Sequence, residues 1–122
     1  MNFEEFKKGF ERLCRSLGGK LKKEQKGITE TITCYDIPKG QRVDVDVHKT
    51  KTIGLVLRML GEELELEDLN VASLFSESGI DVWATQERGY GAGTGIKVKD
   101  VKEIMVSYDK EARKAYVDIF TH

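Results

Sequence analysis

Phe3, Phe6, Phe10, Leu13 and Leu17 recur at three- and four-residue intervals, which on a helix gathers them into an arc of about 100°. Asn2 stands where an N-cap belongs, and Glu5 three residues later completes a capping-box pattern. Glu4 and Glu5 suit the positive helix end, Arg12 and Arg15 the negative one, and Gly18-Gly19 supplies the stop. Cys14 lies on the apolar stripe. Gly9 flanks it, where it either permits close approach of a sheet or only weakens the helix.

From Lys20 onward the period changes to two. Residues 28–37 are rich in threonine and isoleucine and predict a strand, and Pro38-Lys39-Gly40 predicts a turn. Val43, Val45 and Val47 then alternate with Asp44, Asp46 and His48, the pattern of a strand with one face buried. Residues 52–60 are predicted as the next strand, with a helix as the alternative that a short apolar run leaves open. Residues 68–78 predict a short helix burying Leu69, Ala72 and Phe75, and residues 80–87 alternate again. Two last arms, one with Ile104, Val106 and Tyr108 and one with Ala115, Val117 and Ile119, predict a hairpin closed by 109–113. No repeat or long linker divides residues 1–122. The expectation is one α+β domain, with a single, mostly antiparallel sheet curved around the N-terminal helix and a second short helix.

Composition changes this picture little. Lys and Arg number 20 against 21 Asp and Glu, so nucleic-acid binding finds no support in net charge. The charge is uneven: residues 1–27 carry 8 basic and 4 acidic side chains, whereas 62–87 carry 8 acidic and no Lys or Arg. The first residues lack the basic-then-apolar order of a secretion signal, and the most apolar run, 53–60, is far too short for a membrane span. A cytoplasmic location is the expectation. There Cys14 and Cys34 would remain buried thiols. High Lys and Glu with scarce Asn and Gln resembles a heat-adapted composition, in which a disulfide becomes less improbable.

Candidate chemistry is narrowed mainly by exclusion. With His48 and His122 the only histidines, multi-histidine metal sites and the zincin signature are absent. There is no nucleophile elbow, and His122, at the end of the sequence, is expected to fray. On a strand, Asp44, Asp46 and His48 share a face at about 6.6 Å spacing. Two such carboxylates could hold magnesium or manganese, although a solvated strand face explains the alternation without metal. A helix, a strand ending in an acid and an acid-x-Lys strand is the layout of small metal-dependent nucleases. Asp36 and Asp46 take the acid positions here, but His48 stands where lysine belongs and Lys49 points to the other face, so no family is assigned.

Arg88-Gly89-Tyr90-Gly91-Ala92-Gly93-Thr94-Gly95-Ile96-Lys97 offers glycine-exposed amides flanked by cations, a composition able to cradle phosphate. It matches neither the dinucleotide nor the Walker pattern, and a flexible loop or glycine-bearing strand explains it equally. Trp83 falls on the polar side of its strand, which with Arg88 and Tyr90 makes the composition of a contact surface; a second element covering Trp83 would instead make it ordinary core. The leading expectation is a non-catalytic binding module, self-associating as a homodimer or holding a protein partner, without cofactor. Its contact residues are Trp83, Arg88, Gly89, Tyr90, Gly91, Gly93, Thr94 and Lys97. The alternatives are a metal-dependent phosphodiester hydrolase using Asp44 and Asp46, and a binder of small phosphate ligands at 89–95.

Overall fold

A computed structural model describes residues 2–49, 53–67, 69, 80–84 and 94–122, with the backbone alone at 47–49, 53, 80–84, 94 and 95. Helix α1 (Phe3–Ser16) is followed by β1 (Lys20–Lys26), β2 (Thr29–Tyr35), β3 (Val43–Lys49), β4 (Ile53–Met59) and β5 (Glu62–Leu66). Then come β6 (Ile80–Ala84), β7 (Thr94–Val98), β8 (Val101–Asp109) and β9 (Lys114–Thr121). The Asn2 side chain accepts the Glu5 N–H at 2.9 Å, as an N-cap should. Gly18, at φ +77°, turns the chain out of the helix.

Two antiparallel sheets replace the single sheet expected. The first runs β1-β2-β8-β9-β6 and the second β5-β4-β3-β7. Two short links pass between the sheets instead of continuing a hairpin. One is 36–42, between β2 and β3; the other is Lys99-Asp100, between β7 and β8. Asp36 (φ 54°) and Asp100 (φ 57°) both adopt the left-handed conformation there, which aspartate tolerates better than most residues. The two links are tied together. Asp100 Oδ1 accepts the Gly40 N–H at 2.9 Å, Gln41 O accepts from Val101 N and Lys102 O from Ile37 N. His122 is held in the same corner, not frayed: its N–H donates to Asp100 O at 3.0 Å and its Nε2 to Ile37 O at 2.7 Å.

The inner faces of both sheets and the apolar stripe of α1 share one core. Ile32, Ile104, Val106, Val117 and Ile119 come from the first sheet, Val43, Val45, Leu55, Leu57, Leu64 and Leu66 from the second, and Phe6, Phe10 and Leu13 from the helix. Valines 43 and 45 thus point inward with Asp44 and Asp46 opposite, as the alternation predicts. The helix contacts β1 and β2 on one side and β5 on the other. A Cβ on Gly9 would collide with Leu64 Cδ2, so this glycine permits a close approach to β5. Cys14 and Cys34 are disulfide-bonded, with Cα atoms 5.6 Å apart, and not the free thiols expected. Among the described residues α1 is the only helix. The second one expected, at 68–78, falls outside them except for Leu69. No helix among them is long and apolar enough to cross a membrane.

Candidate functional site

The outer face of the second sheet carries the proposed metal ligands. Glu63, Arg58, Asp44 and Lys97 stand in register across β5, β4, β3 and β7, a row of alternating sign in which each charge faces opposite charges on the neighbouring strands. Arg42 Nε donates to Asp44 Oδ1 at 3.1 Å, Arg58 pairs with Asp46, and Arg58 Nε donates to Glu63 Oε1 at 2.6 Å. Both candidate carboxylates therefore already carry an arginine. His48 stands opposite Gly54, and Gly95 opposite Asp46. Asp36 belongs to the link leaving the first sheet, where it pairs with Lys20 at 3.4 Å. Asp46 lies in the second sheet, so the two acids of the nuclease layout are on different sheets. Among the described residues no three His, Cys, Asp or Glu side chains are placed to hold a metal ion.

A groove of about 440 Å³ runs past this charged row, lined by Arg42, Asp44, Arg58, Leu60, Gly61 and Glu63 among others. Leu60 (φ 52°) and Gly61 (φ 79°) form the β4–β5 turn, with the two positive φ values of a type I′ hairpin. Leu60 is exposed there.

The outer face of the first sheet has another chemistry. Glu24, Thr31, Ser107, Tyr116 and Trp83 are in register across β1, β2, β8, β9 and β6, and Lys22, Thr33, Met105, Asp118 and Asp81 form the next row. Beyond these, Lys20 pairs with Tyr35 and Glu103 with Phe120. Thr31 and Ser107 share a hydrogen bond at 2.9 Å. Lys22 binds Glu24 at 2.8 Å, a bond that raises the lysine pKa and lowers that of the glutamate. A groove of about 330 Å³ between Lys22, Thr33, Tyr35, Glu103 and Met105 crosses the middle of the face. Phe120 is 39% exposed. Lysines and Glu24 thus stand on β1, hydroxyl side chains, Met105 and Glu103 in the centre, and aspartates on the β9–β6 side.

A third charged group sits where α1 begins. Glu30 lies between Lys7 and Lys110, whose hydrogen bonds hold its carboxyl below the ordinary range. Burial lowers the Lys7 pKa, but its bonds to Glu30 and Glu4 outweigh that and leave it raised. Phe3 stacks on Tyr108 with ring centroids 4.8 Å apart, and Lys7 Nζ stands 5.3 Å from the Phe3 centroid. These contacts close the rim of the core between two surface grooves, one of about 460 Å³ lined by Phe3, Leu66, Tyr108 and Arg113 and one of about 270 Å³ lined by Lys7, Glu30 and Thr31.

Of the residues singled out from sequence, Thr94 and Lys97 belong to β7, pairing with Val47 and Asp44, and Trp83 belongs to β6 opposite Tyr116. Arg88, Gly89, Tyr90, Gly91 and Gly93 fall outside the described residues. Tyr35, Met105 and Phe120 were not singled out. The signal that marks Trp83, an aromatic on the polar side of an alternating strand, is present for Tyr35, Tyr116 and Phe120 as well. No protein-family model, curated protein or solved structure matches the chain, so these surfaces are the basis for a functional reading.

Proposed function

We propose that this chain is a non-catalytic interaction module that pairs with a second copy of itself through the outer face of the first sheet. The observation that carries this reading is that Tyr35, Met105, Tyr116 and Phe120 all fall on that face, with Trp83 in register beside Tyr116. Aromatic and methionine side chains on a half-polar sheet are the composition of an interface core. The charge layout favours a second copy as the partner. A two-fold axis along the central strand β8 lays β1 of one copy over β6 of the other, bringing the Lys20 and Lys22 edge over the Asp81 and Asp118 side. The same axis lays Tyr35 over Phe120 of the second copy.

Five strands at about 4.8 Å spacing give a face on the order of 500 Å², below the roughly 800 Å² per partner of a standard interface. The pairing is therefore concentration-dependent. Light scattering over a wide concentration range tests it. The wild type should rise from one chain mass toward two, and Tyr35→Thr with Phe120→Thr should stay at one while keeping its circular dichroism. A wild type that remains a single chain at every concentration, or a double variant that still pairs, would overturn the reading.

A second reading, a metal-dependent phosphodiester hydrolase using Asp44, Asp46 and His48, takes support from the register of Gly95 opposite Asp46. That register sets the end of the glycine run beside a carboxylate. Calorimetric titration with magnesium and manganese decides it: heat of binding that disappears in Asp46→Ala is required.

A further inference from the structure

The Cys14–Cys34 bond ties the last turn of α1 to β2. Both cysteines are 1% exposed and lie among Phe10, Leu17, Ile32 and Ile37. Directly over the two sulfurs runs the turn that ends the helix. A Cβ placed on Gly19 would stand 2.5 Å from Cys34 Sγ, 3.2 Å from Cys14 Sγ and 3.1 Å from Ile37 Cγ1. Gly19 donates its N–H to Cys14 O at 3.0 Å, which fixes the turn to the cysteine it covers. Next to it, Gly18 (φ +77°) would bring a Cβ to 3.3 Å from Pro38 Cγ. Gly18-Gly19 is thus more than a helix stop, because only glycine at 19 lets the backbone close over the disulfide.

Thiol–disulfide exchange requires a thiolate to reach a sulfur in line with the bond it breaks. With the turn closed, Gly19 lies against both sulfurs and Ile37 beside it, and both cysteines are 1% exposed, which leaves a thiolate no room to approach. We propose that the disulfide is a latch beneath a glycine lid: a thiol reductant acts only on molecules in which the end of α1 has lifted from β2. In the lifted state one thiolate of a dithiol attacks one cysteine sulfur, forming a mixed disulfide and releasing the other cysteine as a thiolate that takes up a proton. The second thiol of the reagent then displaces the remaining cysteine. Two electrons pass from the dithiol to the protein, leaving two cysteine thiols and a cyclic oxidised reagent. Once reduced, the sulfurs must move apart to non-bonded contact, and the close roof at Gly19 obliges the helix end to shift. Reduction and lifting of the helix end therefore favour one another. The oxidised chain holds α1 across the two sheet edges, and a reducing environment frees that end only through an opening event.

The test uses the full oxidised chain and dithiothreitol, with aliquots quenched by iodoacetamide and alkylated cysteines counted by intact mass. The rate under native conditions should lie at least about a hundredfold below the rate in guanidinium, because exchange waits on a minor open population. Gly19→Ala, whose added methyl group meets both sulfurs, should raise the native rate at least about tenfold, while Ser16→Ala in the same turn leaves it unchanged. Should Gly19→Ala fail to fold, moderate urea on the wild type replaces it, and acceleration well below the unfolding midpoint is the expected result. Equal rates in buffer and guanidinium would overturn the latch. So would a Gly19→Ala rate matching the wild type, urea independence, or two alkylatable thiols in protein never exposed to reductant.

Discussion

The two sheets share one core but differ in how they are joined to the helix and in what they present outward. The first is tied to α1 by a covalent bond beneath Gly19; the second meets it by shape, with Leu64 seated against Gly9. Outward, the second sheet satisfies its charges internally, Arg42 with Asp44 and Arg58 with Asp46 and Glu63. The first leaves Tyr35, Met105, Tyr116 and Phe120 on a face with lysines at one side and aspartates at the other. A carboxylate held by a neighbouring arginine is an element of the sheet before it is a ligand. Aromatic side chains gathered on an outward sheet face have the composition of a contact surface.

Two substitutions attack the helix seats, where the largest effects are expected. Leu64→Ala removes a side chain that fills the gap opened by Gly9 and should cost about 3 kcal/mol, within the usual range for a buried leucine. Replacing Cys14 and Cys34 together by alanine releases a loop of sequence separation 20 and should cost about 3 kcal/mol, mainly by freeing the unfolded chain. Urea unfolding with and without dithiothreitol separates the two. The Leu64 variant should lose further stability on reduction, and the double alanine variant should not respond to it. If Leu64→Ala proves neutral, the second sheet is not held by shape as described.

The elements with one clean face were legible in the sequence. The helix stripe, the inward valines at 43 and 45, and the β8–β9 hairpin follow directly from spacing, whereas Gly9 beside the stripe left two readings open, decided by Leu64 lying against it. Strand β1, Lys-Leu-Lys-Lys-Glu-Gln-Lys, hides itself because it is an edge whose one apolar side chain is Leu21. Lysines there discourage edge-to-edge pairing at the expense of the alternation signal. Strand β5 alternates glutamate with Leu64 and Leu66, yet its charge reads as a solvated run. The division into two sheets was hidden for another reason. Lys99-Asp100 has the length of a hairpin link, and only the positive φ of Asp100 sends the chain to the other layer. The disulfide was obscured by an assumption about compartment, since the two cysteines were already placed in patterned, buried segments.

Acid should weaken the first sheet's junction with the helix. Lys110 and Lys7 hold the Glu30 carboxyl below its ordinary value of 4.5, so its folded pKa is depressed. The corresponding stability is complete above the unfolded value and is lost as pH falls through the folded one. Urea midpoints measured between pH 6 and pH 3 should therefore drop less steeply in Glu30→Gln than in the wild type. Parallel slopes would remove Glu30 from the junction.

A smaller effect, about 1 kcal/mol, is expected from Asp46→Asn, which removes a carboxylate that Arg58 pairs with in a partly exposed setting. Its importance lies in the comparison between faces. If Asp46 serves the sheet, the loss should be the same with and without magnesium or manganese. Should either ion raise the melting temperature of the wild type and leave that of the variant unmoved, the carboxylate binds metal and the hydrolase reading gains over the interaction module.

The smallest change in stability is expected on the face proposed for pairing. Tyr35→Thr and Phe120→Thr replace outward side chains with a residue that strands accommodate well, and neither lies in the shared core. Each should alter the unfolding free energy of the isolated chain by less than about 0.5 kcal/mol, the range of surface substitutions away from special features. Association should respond in the opposite way, since aromatic side chains carry a disproportionate share of interface energy, often about 2 kcal/mol or more each. Measuring both quantities on one set of samples distinguishes a contact surface from ordinary strand packing. A loss of stability comparable to that of Leu64→Ala, measured where the chain is a single copy, would mean that Tyr35 and Phe120 hold the sheet itself. The contrast between a face of paired charges and a face of outward aromatic side chains would then fail.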